Sequence, residues 1–169
     1  MKRKIDLWEH AGEILEAVGK GVLLTAKAGE KTNTMTIGWG TLGIEWGKPI
    51  FMAFVRESRY TKELLDQNPE FTVNVPVGAV DKNILKICGT KSGRDMDKFA
   101  ELGLHTEAGE TVSVPGIREL PLTLECKILY RQEQVISQMA QEDQARFYAA
   151  GDVHTAYYGQ VTAAYILED

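Results

Sequence analysis

The sequence predicts a mainly β protein, an antiparallel barrel, closed or half open, with short helices on its rim. Residues 122–131 alternate apolar and polar side chains, which is the pattern of a strand with one covered face. Several other apolar segments have the length of strands and are joined by short turns or by single short helices. Because strands and helices do not alternate regularly, a doubly wound α/β sheet fits less well.

Composition indicates a single soluble domain. The 169 residues contain no internal repeat or linker rich in Pro, Gly and Ser, so we expect one domain over 1–169. The net charge of −5 argues against general binding to nucleic acid or to an anionic membrane. No apolar segment is long enough to cross a membrane, and none follows the basic start as in a secretory leader. We therefore expect a cytoplasmic protein.

The first half of the chain predicts a helix, a hairpin, a buried strand and a second helix. The ranges are a helix over 10–18 stopped by Gly19 and Gly21, strands over 22–27 and 32–39 with a turn at 29–31, a strand over 50–55, and a helix over 61–67. The second half continues the same way. Its ranges are a strand over 71–77, a helix over 81–88 stopped by Gly89, a helical turn over 96–102, the alternating strand 122–131, a helix over 143–150 and a final strand over 154–167.

The segment Val55-Arg56-Glu57-Ser58-Arg59-Tyr60-Thr61-Lys62 combines two arginines, two hydroxyls and an aromatic ring at a strand-to-helix junction. Arginine forks and hydroxyls at the start of a helix suit a phosphate, because the first amides of a helix lack intrahelical acceptors. The alternative is that Ser58 or Thr61 caps the helix and the arginines lie in solvent. A second loop of this kind, Thr90-Lys91-Ser92-Gly93-Arg94-Asp95, precedes the helical turn at 96–102.

Residues 38–43 match G-x-G-x-x-G, the dinucleotide-binding pattern, but a glycine and a proline follow where that fingerprint needs a helix. We interpret this segment as a barrel corner or bulge instead. Trp39 within it is either a core residue or a wall for a flat aromatic ligand.

The cysteines and histidines exclude some site classes and leave others open. Cys88 and Cys126 form neither a CxxC motif nor a disulfide framework, and His10, His105 and His154 have no metal-ligand spacing, so we expect no metal. Cys88 is either a redox thiol or a buried structural cysteine. His154 is either functional or an ordinary histidine at the start of a strand.

Four blocks in order resemble the flavin reductase-like family, and most closely its flavoredoxin branch. They are Asn33-Thr34-Met35-Thr36-Ile37-Gly38-Trp39, Val55 to Thr61, Phe71 to Pro76, and Cys88-Gly89-Thr90-Lys91-Ser92-Gly93-Arg94-Asp95 with Asp97-Lys98-Phe99. Four blocks at this spacing are more specific than any one of them. The resemblance implies a split β-barrel that binds FMN, as a homodimer with the flavin near the subunit interface.

Site residues follow from the same resemblance. It implies phosphate contacts from Arg56, Ser58, Arg59, Tyr60 and Thr61. The ring and ribityl side would be lined by Asn33, Met35, Thr36 and Trp39. A loop with Cys88, Gly89, Ser92, Gly93 and Lys98 would close over the cofactor, and His154 would lie near the flavin; His154 and Cys88 are also candidate modulators.

The implied chemistry belongs to the flavin, so no catalytic side chain is expected. Flavin accepts hydride at N5 from NADH or NADPH and passes electrons on. The family resemblance favours an NAD(P)H-dependent flavin oxidoreductase, for which a partner protein is one class of electron acceptor. The alternatives are a non-catalytic FMN electron carrier reduced by a partner protein, and a barrel that binds another phosphate ligand or a partner protein.

Overall fold

The computed structural model describes residues 1–169, and an eight-stranded antiparallel sheet is its centre. The strands are β1 (Lys2–Lys4), β2 (Val22–Ala28), β3 (Lys31–Ile37), β4 (Gly40–Glu45), β5 (Lys48–Arg56), β6 (Glu70–Val75), β7 (Thr106–Glu107), β8 (Gly116–Ile117), β9 (Leu122–Glu133) and β10 (His154–Leu167). The helices are α1 (Ala11–Lys20), α2 (Tyr60–Gln67), α3 (Lys82–Thr90), α4 (Lys98–Leu102) and α5 (Gln141–Tyr148), with a 3-10 turn at Ile136–Gln138.

The strand order makes the sheet a split barrel. Neighbouring strands run β3-β2-β6-β9-β10-β5-β4, β1 pairs with the far end of β10, and β7 and β8 form a separate ribbon. The two end strands, β3 and β4, do not pair with each other, so the barrel stays open along one side. The predicted antiparallel β architecture is confirmed, and so is the predicted hairpin, which β2 and β3 form around Gly29.

Four strands were missed by the sequence pattern: β1, β4 and the two short strands β7 and β8. The segment 38–43 is not a corner or bulge, because Gly40 starts strand β4, which pairs with β5 through a turn at Trp46-Gly47. Gly40 is needed there, since an added Cβ would lie 2.8 Å from Cζ of Phe51. A strand follows the glycines where a dinucleotide fold has a helix, so the rejection of that reading is confirmed.

Helix α1 continues past Gly19 but stops at Gly21 as predicted, and helix α3 continues past Gly89, which was expected to stop it. Helix α1 includes Gly19 and ends at Gly21, which has φ +115°. Helix α3 includes Gly89, whose Cα lies so close to Thr36 that a Cβ would be 3.3 Å from the Thr36 Cβ. Gly89 therefore allows α3 to pack closely on β3.

The core lies inside the barrel, and α1 covers part of it with Ile14 and Val18. A smaller apolar cluster lies beneath α3 and α4. The predicted polar face of β9 is wrong at its first residues, where Thr123 and Glu125 are fully buried. The loop around Thr111 covers them and donates hydrogen bonds to the Glu125 carboxylate. No helix of the fold has the length and apolarity needed to cross a membrane.

Candidate functional site

Five segments converge at one end of the barrel. Strand β3 supplies residues 33–36, and strand β5 ends at Arg56 just before helix α2 begins. The loop 90–94 between α3 and α4 approaches from one side, and residues 152–154 at the start of β10 approach from the other. Residues far apart in the sequence therefore share two adjoining cavities.

The larger cavity, about 320 Å³, is basic. We call it the basic cavity; its lining residues are Asn33, Met35, Arg56, Ser58, Arg59, Tyr60, Thr61, Thr90, Lys91, Ser92, Gly93, Arg94, Lys98 and Asp152. Five of these side chains are cationic, and Asp152 is the one carboxylate among them. An anionic ligand is the partner that this charge pattern favours.

Two arginines of the cavity, Arg56 and Arg59, are held by backbone carbonyl groups. Arg56 donates to the carbonyl oxygens of Asp152 at 2.9 Å and Phe147 at 3.1 Å. Arg59 donates to the carbonyl oxygen of Gly89 at 3.1 Å. Carbonyl groups fix the direction of these guanidinium forks without cancelling their charge, so the charge remains available to a ligand.

Lys98 is the most buried cation of the cavity, with 2% of its surface exposed. Its Nζ donates to the carbonyl oxygens of Thr34 at 2.8 Å and Cys88 at 3.0 Å. Burial lowers the pKa of Lys98, and the positive charge of nearby Arg59 lowers it further. A buried ammonium without a carboxylate is costly, so an anion bound beside it would be strongly favoured.

Helix α2 starts at this cavity without a side-chain cap. Its N-cap is Arg59, and no side chain bonds to the first amides. The alternative in which Ser58 or Thr61 caps the helix is therefore not observed. The Ser58 hydroxyl donates to Asp152 instead, and the Thr61 hydroxyl oxygen accepts from Asn33 Nδ2 at 2.9 Å. The uncapped amides thus face the basic cavity, where an anion can take the place of the cap.

The loop 90–94 is fixed against helix α2. Arg94 donates to the carbonyl oxygen of Ser58 at 3.1 Å and forms an ion pair with Glu63, and its guanidinium lies over the Tyr60 ring. The neighbouring Gly93 packs so tightly that a Cβ would lie 2.7 Å from Cδ1 of Tyr60 and closer still to Asn33. These contacts form one wall of the basic cavity.

The second cavity, about 190 Å³, is more apolar, and we call it the aromatic cavity. It is lined by Met35, Thr36, Ile37, Gly38, Trp39, Phe54, Arg56, Arg59 and His154. The Trp39 ring is 46% exposed, and its centroid lies 5.1 Å from that of His154 and 5.4 Å from that of Phe147. Trp39 is therefore not a core residue but an accessible ring in the cavity wall, as a flat ligand requires.

His154 is buried and neutral. Its Nδ1 lies 2.7 Å from the Tyr148 hydroxyl, which donates to Gln134 Oε1 at 2.8 Å. Burial lowers the pKa of His154 to about 4, with a further contribution from the charge of Arg56. At neutral pH the ring is uncharged and its orientation is fixed by Tyr148, so His154 contributes shape and hydrogen bonding rather than charge.

Two of the predicted site residues lie behind the cavities. Cys88 is fully buried, and burial raises the pKa of its thiol to about 11, so a thiolate is disfavoured there. Its contribution is the carbonyl group that holds Lys98, and Gly89 likewise contributes the carbonyl group that holds Arg59. Thr36 lines the aromatic cavity, but its hydroxyl donates to the carbonyl oxygen of Leu85 at 2.6 Å and is therefore occupied within the fold.

The other predicted residues line the cavities, and seven lining residues were missed. They are Ile37, Gly38, Phe54, Thr90, Lys91, Arg94 and Asp152. Lys91 and Arg94 belong to the basic loop that the sequence indicates, so their position could have been found from that loop. Asp152 carries no local signal, because only the pairing of β5 with β10 brings it beside Ser58.

Comparison with known proteins agrees with this geometry. Residues 18–169 match the Flavin reductase like domain family. The Escherichia coli K12 protein named Uncharacterized protein YddH is 30% identical over 132 residues, 76% of this chain and 69% of its own length. An uncharacterized protein of Archaeoglobus fulgidus is 33% identical over 104 residues, 62% of this chain and 58% of the relative, so less than two thirds of that relative is matched.

Solved structures share the fold. Flavoredoxin from Methanosarcina acetivorans is 28% identical with a TM-score of 0.69, over 88% of this chain and 68% of that one. The NADH:FAD oxidoreductase SgcE6 of Streptomyces globisporus, at 20% identity and a TM-score of 0.65, covers 87% of this chain and 75% of its own. The split barrel, the paired cavities and the match over residues 18–169 together show that this chain belongs to the flavin reductase-like family.

Proposed function

We propose that this protein binds FMN and acts as an NAD(P)H-dependent flavin oxidoreductase, passing hydride or electrons to an acceptor. The observation that carries this proposal is the junction of the two cavities. Met35, Arg56 and Arg59 line both, so the basic cavity opens into the aromatic cavity. A ligand that fills both needs an anionic end and a flat ring, which is the chemistry of a flavin mononucleotide.

The residues present fit such a ligand. Arg59, Lys98 and the first amides of helix α2 would bind the phosphate. Asn33 of the basic cavity and Met35, which lines both cavities, would lie along the ribityl chain, and Trp39 would border the ring. When bound, FMN supplies a ring that accepts hydride from a reduced nicotinamide and returns the electrons to an acceptor.

The chain itself contributes positioning and fixed charge. The cationic side chains of Arg56, Arg59 and Lys98 are already held by backbone carbonyl groups, so they need little rearrangement when an anion binds. The conformational entropy of ordering them is lost on folding and not on binding. The neutral His154 gives the aromatic cavity a polar edge without adding to the positive charges of Arg56 and Arg59. No side chain at the site has to act as an acid or base for hydride transfer.

Visible spectra of the purified protein with FMN test this function. FMN binding should quench flavin fluorescence, and anaerobic NADH or NADPH should then bleach the flavin absorbance near its visible maximum. Failure of FMN to bind contradicts the flavin assignment altogether. Binding without bleaching by either nucleotide contradicts the oxidoreductase proposal alone.

A second candidate is an electron carrier that binds FMN without using nicotinamide. The likeness to flavoredoxin from Methanosarcina acetivorans, at 28% identity, favours it. In that case NADH and NADPH leave the bound flavin oxidised, whereas a reduced donor protein bleaches it. The same anaerobic titration therefore separates the two candidates.

Arg59→Ala should weaken FMN far more than riboflavin. A charge-assisted hydrogen bond contributes about 1.5–3 kcal/mol, so the loss should be about tenfold or more for FMN and small for the phosphate-free ligand. Fluorescence titration of both ligands measures the ratio. Lys62→Ala is the matched control, because this cation of helix α2 pairs with Asp66 and lies outside the basic cavity. Equal losses for both ligands would place Arg59 away from the phosphate.

The proposed assembly is a homodimer with the flavin near the interface. An exposed apolar cluster supports it, formed by Trp46 of the β4–β5 hairpin with Tyr130 and Tyr158, and Ile44 of the same hairpin is exposed as well. Ile44 is 72% exposed and Trp46 52%. The groove beside Tyr158, about 440 Å³, shares Phe54 with the aromatic cavity, so a second copy of the chain on this face would approach the flavin.

Trp46→Glu should convert the dimer to a monomer. A buried glutamate at the centre of an apolar interface is unpaired and costly, so association should weaken by at least tenfold. Light scattering after gel filtration measures the mass. Trp8→Glu is the control, since Trp8 is 49% exposed but lies outside the cluster. A mass unchanged by Trp46→Glu, or a monomeric wild type, contradicts this interface.

We also propose a cytoplasmic location. The support is chemical: Cys88 and Cys126 are both buried and unpaired, as is usual in a reducing compartment.

A further inference from the structure

The carboxylate of Asp152 accepts hydrogen bonds from both donors of Ser58. The backbone amide of Ser58 donates to Asp152 Oδ1 at 2.9 Å, and its hydroxyl donates to Asp152 Oδ2 at 2.6 Å. One carboxylate thus takes both donors that a phosphate would use at this residue. Both side chains line the basic cavity, so this pair lies within the site and not behind it.

These two bonds belong to a larger junction between β5 and β10. The paired register of these strands reaches Arg56 and His154 at this end. Beyond it, Arg56 donates to the carbonyl oxygen of Asp152, and the Glu57 amide donates to the carbonyl oxygen of Val153 at 3.1 Å. Four bonds therefore hold residues 56–58 to residues 152–153 where the regular sheet has ended.

The backbone at Asp152 is consistent with a fixed junction. Asp152 has φ +50°, in the left-handed region that residues other than glycine seldom adopt, and it follows Gly151 at φ +76°. Such a conformation persists where the surroundings hold it. Burial alone would raise the pKa of Asp152, but the Ser58 bonds and the charge of Arg56 together lower it, so the carboxylate is charged at neutral pH.

The junction connects the two halves of the site. On one side it fixes Ser58, directly before Arg59 and the start of helix α2. On the other side it precedes His154, which contacts Trp39 in the aromatic cavity. Displacement of Asp152 would therefore loosen the phosphate end and the ring end together.

We propose that Asp152 is a positioning residue of the flavin site, that it sets the geometry of both cavities by binding Ser58, and that Ser58 is consequently not a phosphate ligand. This inference rests on the proposed flavin function. It gives Ser58 and Arg59 different roles: Ser58 binds Asp152, and Arg59 keeps its proposed contact with the phosphate. It also explains how a carboxylate can lie in a cavity built for an anion: both of its oxygens accept hydrogen bonds from Ser58.

The opposite arrangement makes the opposite prediction. If Asp152 only occupies the place of the phosphate and leaves when FMN binds, removing its charge frees Ser58 and removes a repulsion. Asp152→Asn would then tighten FMN binding, and Ser58→Ala would weaken FMN without affecting riboflavin. A positioning role predicts that both variants weaken both ligands.

The test is a double-mutant cycle of Ser58→Ala and Asp152→Asn, with the affinities for FMN and riboflavin measured by fluorescence. Each single variant should weaken both ligands by a similar factor, about threefold to tenfold, the value of one hydrogen bond to a charged group at a partly exposed position. The double variant should lose no more flavin affinity than the single variant that binds flavin less tightly, because the two residues act as one unit. Tighter FMN binding by Asp152→Asn, or additive losses, would overturn the proposal.

Asp95→Asn is the matched control. It removes one negative charge from the groove next to the basic cavity, but the Asp95 side chain is exposed and makes no hydrogen bond. Its flavin affinities should stay within about twofold of the wild type, or rise slightly for FMN, as expected from a weak surface charge. A loss equal to that of Asp152→Asn would assign the effect to general charge and overturn the positioning role.

Thermal unfolding of the flavin-free variants separates this inference from the proposed function. The junction predicts that Ser58→Ala and Asp152→Asn lower the melting temperature non-additively even without ligand. A wild type that binds no flavin would contradict the proposed function, while a non-additive stability cycle would still establish the junction. Additive effects on stability would overturn the junction whether or not flavin binds.

Discussion

Gly93→Ala should reduce flavin affinity by about tenfold to a hundredfold, the expected effect of forcing a side chain into a packed contact. The added methyl group would lie 2.7 Å from the Tyr60 ring and closer still to the Asn33 amide. Asn33 cannot move freely, because it is buried and its Nδ2 donates to Thr61. The loop 90–94 must therefore shift, and with it the wall of the basic cavity. Fluorescence titration with FMN measures the loss.

Gly19→Ala is the matched control for Gly93→Ala. Gly19 lies within helix α1, its φ is not positive, and no atom lies within 4 Å of an added Cβ. Alanine in a helix is favoured over glycine by about 1 kcal/mol, so this variant should be neutral or slightly more stable and should bind flavin normally. Normal FMN affinity in Gly93→Ala would show that loop 90–94 does not form part of the flavin site.

The fold was largely predictable because its strongest signals are local. Strict alternation over 122–131 and the apolar segment 50–55 both mark strands that the structure contains. Strand β4 was missed because Gly40 and Gly43 interrupt its pattern, and its pairing with β5 provides the stability that the local sequence lacks. Gly89 was read as a helix stop, but close packing against Thr36 is what requires a glycine there.

The parts of the site that lie within a short sequence motif were predictable. The parts that the strand topology brings together from distant residues were not. The segment 56–61 and the basic loop 90–94 each contain their chemistry within a few residues, and both line the basic cavity. The alternative in which Ser58 or Thr61 caps helix α2 is not observed, for a different reason. Partners distant in sequence, Asp152 and Asn33, bind these hydroxyls, and no local rule names such partners.

The second large effect is expected on stability, at Glu125 on the face of β9 that the sequence predicts to be polar. Glu125 is fully buried, and its carboxylate accepts hydrogen bonds from the Glu110 amide at 2.7 Å, from the Thr111 amide and hydroxyl, and from Tyr165 at 2.8 Å. The loop that covers β9 thus has a carboxylate as its anchor. An alternating pattern shows which side chains are polar, but it cannot show that a loop closes over them.

Glu125→Gln should lower the free energy of unfolding by about 2–4 kcal/mol, because an amide nitrogen would replace an oxygen that accepts from several donors. At a cost of roughly 2–4 °C per kcal/mol, the melting temperature should fall by about 5–15 °C. Glu119→Gln is the control, since its carboxylate binds the exposed His105 and should contribute less than about 1 kcal/mol. A melting temperature unchanged by Glu125→Gln would contradict the anchoring role.

The pH dependence of stability follows from the same carboxylate. Burial alone would raise the pKa of Glu125, but the hydrogen bonds from Thr111, Glu110 and Tyr165 together lower it below its ordinary value. A carboxyl group with a lower pKa in the folded protein binds protons more readily when unfolded. Its stabilisation is therefore complete above the unfolded pKa, about 4.3, and is lost as the pH falls through the folded pKa. Chemical denaturation between pH 3 and 7 should show a steeper acid loss in the wild type than in Glu125→Gln, whose side chain cannot titrate, and parallel curves would assign the acid sensitivity to other groups.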